Sequence, residues 1–505
     1  MARFFCDDKY GEVIAYLQEQ GWTLVKDAAD LESEESNGQQ LLWTNLKKVD
    51  WSSAGSKTIN HLHGSQHLSN KAYLAYHMAA AGFNDVMPLQ WSSAYQDLAQ
   101  LVGMVAVDAL YSFGRATEGG SSLLNEHELR GIVNLLHTDA EWSTSCDGEL
   151  TKELVASILS PSVSQSPIED EVLERLKAAH PRFSYSGTGN LWIVKPVGLS
   201  CGANIKLVRG MKALLDVVGR EMNFKCVVQK YIERPLLVKG GRKFDIRQWL
   251  LVTSVEPLVI YGFSEFYCRL SWQEYNVDAD GLADPTIHLT NHAIQKMRCR
   301  GGGGDGDVDD INRTVECDTM LTHAQFEEEL QKMASPPSPS LTPSIIDQVL
   351  LPQIKNISIK CVASVRDKLE KIGGGFEWLG LDLMVTDSLQ VLLIECNVSP
   401  DISLSTSVTS RVVKAAVRET CAVVMGTTTT TTSAPSPSSP SWNLWFPENS
   451  SPPLTSALAF ARSKRERGGA LGKDYSPKKL ELFYKVQSLL SSSSGKEGDE
   501  DEDEF

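Results

Sequence analysis

Residues 241–253 read GRKFDIRQWLLVT, and the spacing of their ionic groups bears most directly on how the chain folds. Lys243, Asp245 and Arg247 alternate with Phe244, Ile246 and Gln248 before the run turns apolar at Trp249. An extended backbone points successive side chains to opposite faces, so a strand here carries plus, minus, plus along one face. A solvated strand with self-compensating charges would explain the pattern. A strand that offers charged groups to a ligand is the other reading, and the rest of the sequence shifts the balance toward it.

At 505 residues the chain has room for two or three domains, and 42% hydrophobic with 22% charged residues is an ordinary globular composition. The start, MARFFCDDKYGEV, has no apolar signal core. The longest apolar stretch, LVGMVAVDALYSF at 101–113, is short for a membrane span and carries Asp108, so no membrane is expected. Ten scattered cysteines without a CxxC pair point to reduced thiols inside a cell.

A formal charge of −16 argues against nucleic acid as a partner. Between Lys195 and Arg247, however, twelve Lys or Arg stand against four Asp or Glu. Screening acts over roughly 8 Å at physiological salt, so this basic island acts locally whatever a distant acidic segment carries. It implies an anionic ligand, an acidic protein partner, or both.

The pattern along the chain predicts an α/β (α+β) fold. Helical spacing marks residues 94–137, 168–179, 323–333, 344–371 and 408–425. Short runs suited to buried strands cluster from 190 onward, as NLWIVKP, CVVQKYI, FDIRQWLLVT, LVIYGF and FYCRLS, and a pair of strands follows in FEWLGLDLMVTDSLQVLLIECNVSP. The glycine run at 301–304 and SPPSPSLTPS read as surface insertions, and the ordered chain is expected to end in the helix near 425. Beyond it a Thr/Ser/Pro linker, a candidate helix at 476–490 and the acidic run GKEGDEDEDEF make a solvated tail. The expected partition is 1–70, 71–228, 229–425 and 426–505.

Glu395 and Asn397 are two apart in LLIECNVSP and share a face. A four-residue loop at 387–390 would put Asp382 directly opposite Glu395, and a tighter turn would make them diagonal neighbours. Two carboxylates among apolar neighbours need a counterion, and hard oxygen donors of this kind suit Mg2+. Upstream, a strand ends at Lys195 and a loop with Gly198 and Gly202 follows, which can cover phosphates. His61, His63 and His67 lack further ligands at zinc spacing, and the EF-hand-like run 305–316 has Asp310 where glycine is required. Neither is taken as a metal site.

Taken together, the motifs INH…SNKAYL, WIVKP, VVQKYIERPLLV, KFDIRQWLLVT, HLTNHAIQK and LLIECNVSP resemble the tubulin tyrosine ligase-like family of ATP-grasp ligases over residues 41–413. QKYIERPLL, FDIRQW and STSVTSRV look most like its glycylase branch. The resemblance implies ATP held between two sheet-containing subdomains, its adenine beside Gln229, Lys230, Tyr231 and Ile232. Lys71 and Lys195 would contact phosphates, and Asp382, Glu395 and Asn397 would hold Mg2+. Lys243, Asp245, Arg247, Arg269, Thr290 and Asn291 would bind ATP, the reacting carboxylate and the incoming amino acid, with Lys243, Arg247 and Arg269 catalytic. The loop VGLSCGANI departs from the family in carrying Ala203 and Asn204 in place of basic residues and a glycine.

The implied activity is ATP-dependent glycylation of tubulin tails through an acyl phosphate, by a monomer at cytoplasmic microtubules and the axoneme of a cilium or flagellum. A tubulin polyglutamylase and a catalytically silent microtubule-binding protein are the alternatives.

Overall fold

The structure is a computed structural model that describes residues 2–32, 38–92, 101, 104, 105, 108, 187, 189–199, 202–223, 225–291, 293–295, 319–333, 344–404, 406–426 and 440–447. Contacts gather the chain into two compact units. One takes Met1–Val86, Leu236–Asn276 and Asp284–Arg467; the other takes Met87–Pro235, Val277–Ala283 and Gly468–Phe505.

The first unit opens with a parallel sheet of β1 (Arg3–Cys6), β2 (Thr23–Leu24), β3 (Gln40–Trp43) and β4 (Thr58–Ile59), in the order β2-β1-β3-β4. In the second unit β5 (Gln90–Ser92), β6 (Leu191–Pro196), β7 (Lys206–Arg209) and β8 (Cys226–Lys230) form an antiparallel sheet in the order β5-β8-β6-β7. The largest sheet belongs to the first unit and is antiparallel throughout. Its strands are β9 (Leu237–Val238), β10 (Arg242–Val255), β11 (Leu258–Phe263), β12 (Tyr267–Glu274), β13 (Met320–Thr322), β14 (Glu377–Val385), β15 (Val391–Val398) and β16 (Trp442–Phe446).

β10 is 14 residues long, which lets one strand serve four partners: β9 and β14 along one edge, β12 and β11 along the other. Enclosed this way, it is buried on both faces over most of its length. The solvated-strand reading therefore fails, since Lys243, Asp245 and Arg247 are only 2%, 7% and 7% exposed.

One hydrophobic core of the first unit joins Phe4 and Trp43 of the parallel sheet to Trp249, Phe263, Trp378 and Trp442 of the large one. The helix Ser407–Met425 covers it with Val412, Val413, Ala416 and Val417, apolar residues at three- and four-residue spacing. Its boundaries are chemical: Thr406 and Thr409 form a reciprocal cap at the start, and Gly426 ends it in the left-handed region at φ 63°.

The ordered chain does not stop at that helix. β16 returns after the linker and extends the sheet at β11. Two tryptophans explain the addition. Trp442 packs on Phe263 with ring centroids 5.0 Å apart and donates its indole N–H to Thr420 at 3.0 Å. Trp445 lies over Gly262, where any side chain would collide with the indole. Composition alone concealed this, because the flanking Ser/Pro residues dominate the count.

Among the described residues no helix is long and apolar enough to cross a membrane, and the free cysteines 6, 226, 268, 361, 396 and 421 are buried. The expected helices at 323–333 and 408–425 form as His323–Met333 and Ser407–Met425, and Leu351–Ser364 occupies the stretch expected at 344–371. Of the helical block at 94–137, residues 101, 104, 105 and 108 are described and helical. The helix at 168–179, the glycine run, most of SPPSPSLTPS, the segment 476–490 and the acidic tail lie outside the described residues.

Replacing Trp442 by Ala is expected to destabilise the first unit by about 3 kcal/mol or more, as a large buried aromatic is lost with its hydrogen bond. A lowered urea midpoint followed by tryptophan fluorescence checks this.

Candidate active site

The ionic face of β10 is built by register. Arg247 stands directly opposite Asp382 on β14, and Asp245 directly opposite Arg269 on β12. Arg247 Nε donates to Asp382 Oδ1 at 2.6 Å. Arg269 makes a fork with Asp245, Nε to Oδ1 at 2.7 Å and Nη2 to Oδ2 at 2.6 Å, and its Nη2 also lies 2.9 Å from Asp382 Oδ2. Thr290 donates its hydroxyl to Asp245 at 2.5 Å, and Lys243 Nζ donates to the carbonyl of His288 at 2.8 Å. Asn291, half-buried, accepts from the N–H groups of Ile294 and Gln295 through its backbone carbonyl.

The hairpin β14–β15 reaches the expected pairing by a different route. Its loop has five residues, 386–390, because Val385 pairs with Val391. That register alone would set Asp382 against Ile394 and turn Glu395 to the opposite face. A bulge between Asp382 and Leu383 absorbs one residue of β15, so that Asp382 faces Glu395 and Gly380 faces Asn397. The amide nitrogen of Asn397 then lies 3.4 Å from Asp382 Oδ2 and 3.3 Å from Glu395 Oε1. Lys71, at the start of the helix Lys71–Ala80, brings its ammonium to 3.8 Å from Glu395 Oε2. Asn70 caps that helix, accepting from the N–H groups of Ala72 and Tyr73.

Electrostatics follow from these distances. Burial by itself would raise the carboxyl of Asp382, but the guanidinium groups of Arg247 and Arg269 override it and hold it far below its usual 3.8. Burial opposes the charge of Arg269 too, and Asp245 and Asp382 more than compensate, raising it well above the ordinary value. Glu395 is the open member of the group, its side chain 25% exposed. Two carboxylates and an amide, which can present oxygen once turned end for end, fit a hard divalent cation such as magnesium.

The second unit holds the remaining expected residues. Lys195 Nζ donates to Gln229 Oε1 at 2.7 Å, and both are buried. Lys230 points into the interior, where its ammonium meets Asp108 at 3.0 Å and Glu233 at 2.5 Å and lies 5.4 Å from the centre of the Trp192 ring. Burial raises the Asp108 carboxyl to about 6 despite that lysine. Any contact of Lys230 with a ligand would thus be made by its backbone. Tyr231 and Ile232, also buried, follow the end of β8.

Sequence reasoning passed over two groups. Tyr267 pairs with Arg247 and is buried beside Arg247 and Arg269, and burial raises its hydroxyl; its two-residue spacing from Arg269 is the available signal. His61 is buried: Nδ1 lies 2.8 Å from Glu377 Oε1 and Nε2 lies 2.9 Å from the carbonyl of Thr44 and 3.2 Å from Ser399 Oγ. Glu377 also accepts from the backbone of Leu62 and from Ser65, so one carboxylate ties the 61–65 segment to β14.

The chain matches the model of the Tubulin-tyrosine ligase family over residues 152–432, more than half its length. It belongs to the tubulin-tyrosine ligase family. Its fold is the ATP-grasp-like one of that family, mixed helix and sheet. It is 35% identical over 255 residues to tubulin glycylase 3C of Tetrahymena thermophila, a match covering 50% of this chain and 22% of that protein. It is 32% identical over 263 residues to tubulin monoglycylase TTLL3 of Homo sapiens, covering 51% and 31%. With protein monoglycylase TTLL8 of Homo sapiens it shares 30% identity over 303 residues, covering 56% and 33%. The match thus spans a third or less of the length of each of these relatives.

Replacing Asp382 by Asn removes the anion that both arginines share. A cost of about 3–5 kcal/mol is expected at neutral pH. Because the folded-state carboxyl is held below its ordinary 3.8, its contribution is complete above that value and shrinks as the pH falls below about 4. The gap between the urea midpoints of parent and variant should therefore be constant from pH 7 down to about 5 and narrow progressively as the pH falls below about 4.

Proposed function

We propose that the chain is an ATP-dependent ligase that joins the amine of free glycine to glutamate side chains in the acidic tails of tubulin. The observation that carries this reading is the row Arg247–Asp382–Glu395, with Arg269 and Asn397 beside it, which places guanidinium cations and hard oxygen donors on one sheet face. The names of the glycylase relatives support the choice of tubulin and glycine.

The reaction makes two exchanges. A glutamate carboxylate oxygen attacks the γ-phosphorus of ATP and ADP leaves; the glycine amine then attacks the acyl carbon of the acyl phosphate, phosphate leaves, and the amine sheds a proton. Two like unit charges at 4 Å repel by about 4 kcal/mol at an effective dielectric of 20, so a carboxylate approaching a triphosphate needs cations held in place. Arg247 is suited to that work. Its Nε is committed to Asp382, while its terminal nitrogens make no hydrogen bond to another described residue. Arg269 is fixed by two carboxylates, and Asp245 orients both it and the Thr290 hydroxyl. Such positioned charge supplies most of the catalysis, and no protein nucleophile is required.

Asp382, Glu395 and Asn397 would hold magnesium, which when bound neutralises phosphate charge. Lys71 and Lys195 would serve phosphate oxygens, Gln229 and the backbone of Lys230, Tyr231 and Ile232 the adenine, and Lys243 and Asn291 the substrates. Acting as a monomer at cytoplasmic microtubules and the axoneme of a cilium or flagellum follows from the same reading.

The test incubates the protein with ATP, magnesium, tubulin and each amino acid separately, with mass spectrometry of the tubulin tails. Glycine should be incorporated, and Glu395→Gln or Asn397→Ala should lower the rate by about 100-fold or more. Incorporation of glutamate alone would make the chain a glutamylase. ATP-dependent incorporation of neither would leave a microtubule-binding protein without this chemistry.

A further inference from the structure

Gly380 lies at the centre of a three-strand row, opposite Trp249 on β10 and Asn397 on β15. Positions 380 and 382 share a face, so a side chain at 380 would stand among the ionic groups next to Asp382. Its backbone is outside the left-handed region, so conformation does not call for glycine here. Space does. A β-carbon at 380 would stand 3.1 Å from Cβ of Pro400, 3.2 Å from Cδ of Arg247 and 3.4 Å from Nε of Arg247. Carbon atoms pack best at roughly 3.5–4.0 Å, so a methyl group would press on both neighbours at once. The proline ring is rigid and the arginine stem is not, which makes Arg247 the side chain that must yield.

We infer that Gly380 is a positioning residue: its missing side chain is the seat across which the stem of Arg247 lies flat, bringing Nε within 2.6 Å of Asp382. Arg247 starts from the neighbouring row and crosses the surface of Gly380 on its way to the carboxylate. Without that seat the pair between Asp382 and Arg247 is pressed out of line, while the one with Arg269 is left untouched. The catalytic consequence rests on the ligase reading above; the geometric claim does not.

The experiment is Gly380→Ala, with two readouts. In a crystal structure of the variant the Arg247 stem should be displaced by a few tenths of an ångström and its Nε should stand measurably farther from Asp382 than the 2.6 Å of the parent. In the tubulin assay kcat for glycine incorporation should fall about 10- to 100-fold with KM for glycine little changed, as expected for a displaced charge that acts in the transition state. A methyl group accommodated with the bond intact would overturn the inference, as would an unchanged kcat. Should Gly380→Ala not fold, Arg247→Ala is compared with Arg247→Ala/Gly380→Ala. A cooperative melt regained in the double variant supports the seat, and a double variant that fails to fold as Gly380→Ala does assigns the clash to Pro400 and overturns it. If the parent protein incorporates no amino acid, the ligase reading fails while the crystallographic and melting readouts still decide on Gly380.

Discussion

Buried charge without water must be answered by charge, and the large sheet is organised around that constraint. Lys243, Asp245, Arg247, Asp382 and Arg269 lie side by side on three strands, nearly all of them closed to solvent. Each has a partner at hydrogen-bonding distance, and Asp382 and Arg269 have two charged partners each. Taking such groups out of water costs several kcal/mol per ion, and apolar residues of similar volume would often serve stability as well or better. A row of this kind is therefore not explained by what it adds to the stability of the sheet.

Small departures from regularity aim the row. The bulge in β15 turns Glu395 onto the face of Asp382, and the five-residue loop that makes it necessary is closed by Thr386, whose N–H and hydroxyl bond Gln390. The carboxylate of Glu377, on the opposite face of β14 from Asp382, grips Leu62, Ser65 and His61, so the segment leading to Lys71 is anchored to the strand that carries the ionic site. The anchor and the ionic row thus share one strand on alternate faces.

Much of this was legible beforehand. The alternation at 243–247 declared a charged strand face, the two-residue spacing of Glu395 and Asn397 declared a shared one, and the amphipathic spacing from Val408 to Cys421 declared the closing helix. The parts that were not legible are those set by contacts between distant segments. The first unit gathers residues 2–86 with segments from beyond 235, an interleaving that local composition does not record. β16 was hidden because the burial of Trp442 and Trp445 depends on Phe263, Thr420 and Gly262. Lys230 was read as a nucleotide contact by its motif, and only the fold shows its ammonium turned inward to Asp108 and Glu233.

By itself the sequence determined which residue types alternate, that 242–255, 377–385 and 391–398 run as strands and 407–425 as a helix, and which family the motifs resemble, since these depend on neighbours a few positions away. The tertiary structure alone decided that the charged face is buried, that Arg247 meets Asp382 while Arg269 bridges Asp245 and Asp382, and that a bulge brings Glu395 beside them. The physical reason is that register and burial belong to pairs of strands far apart in the chain, and the free energy of a buried charge is set by the partner that the fold places against it.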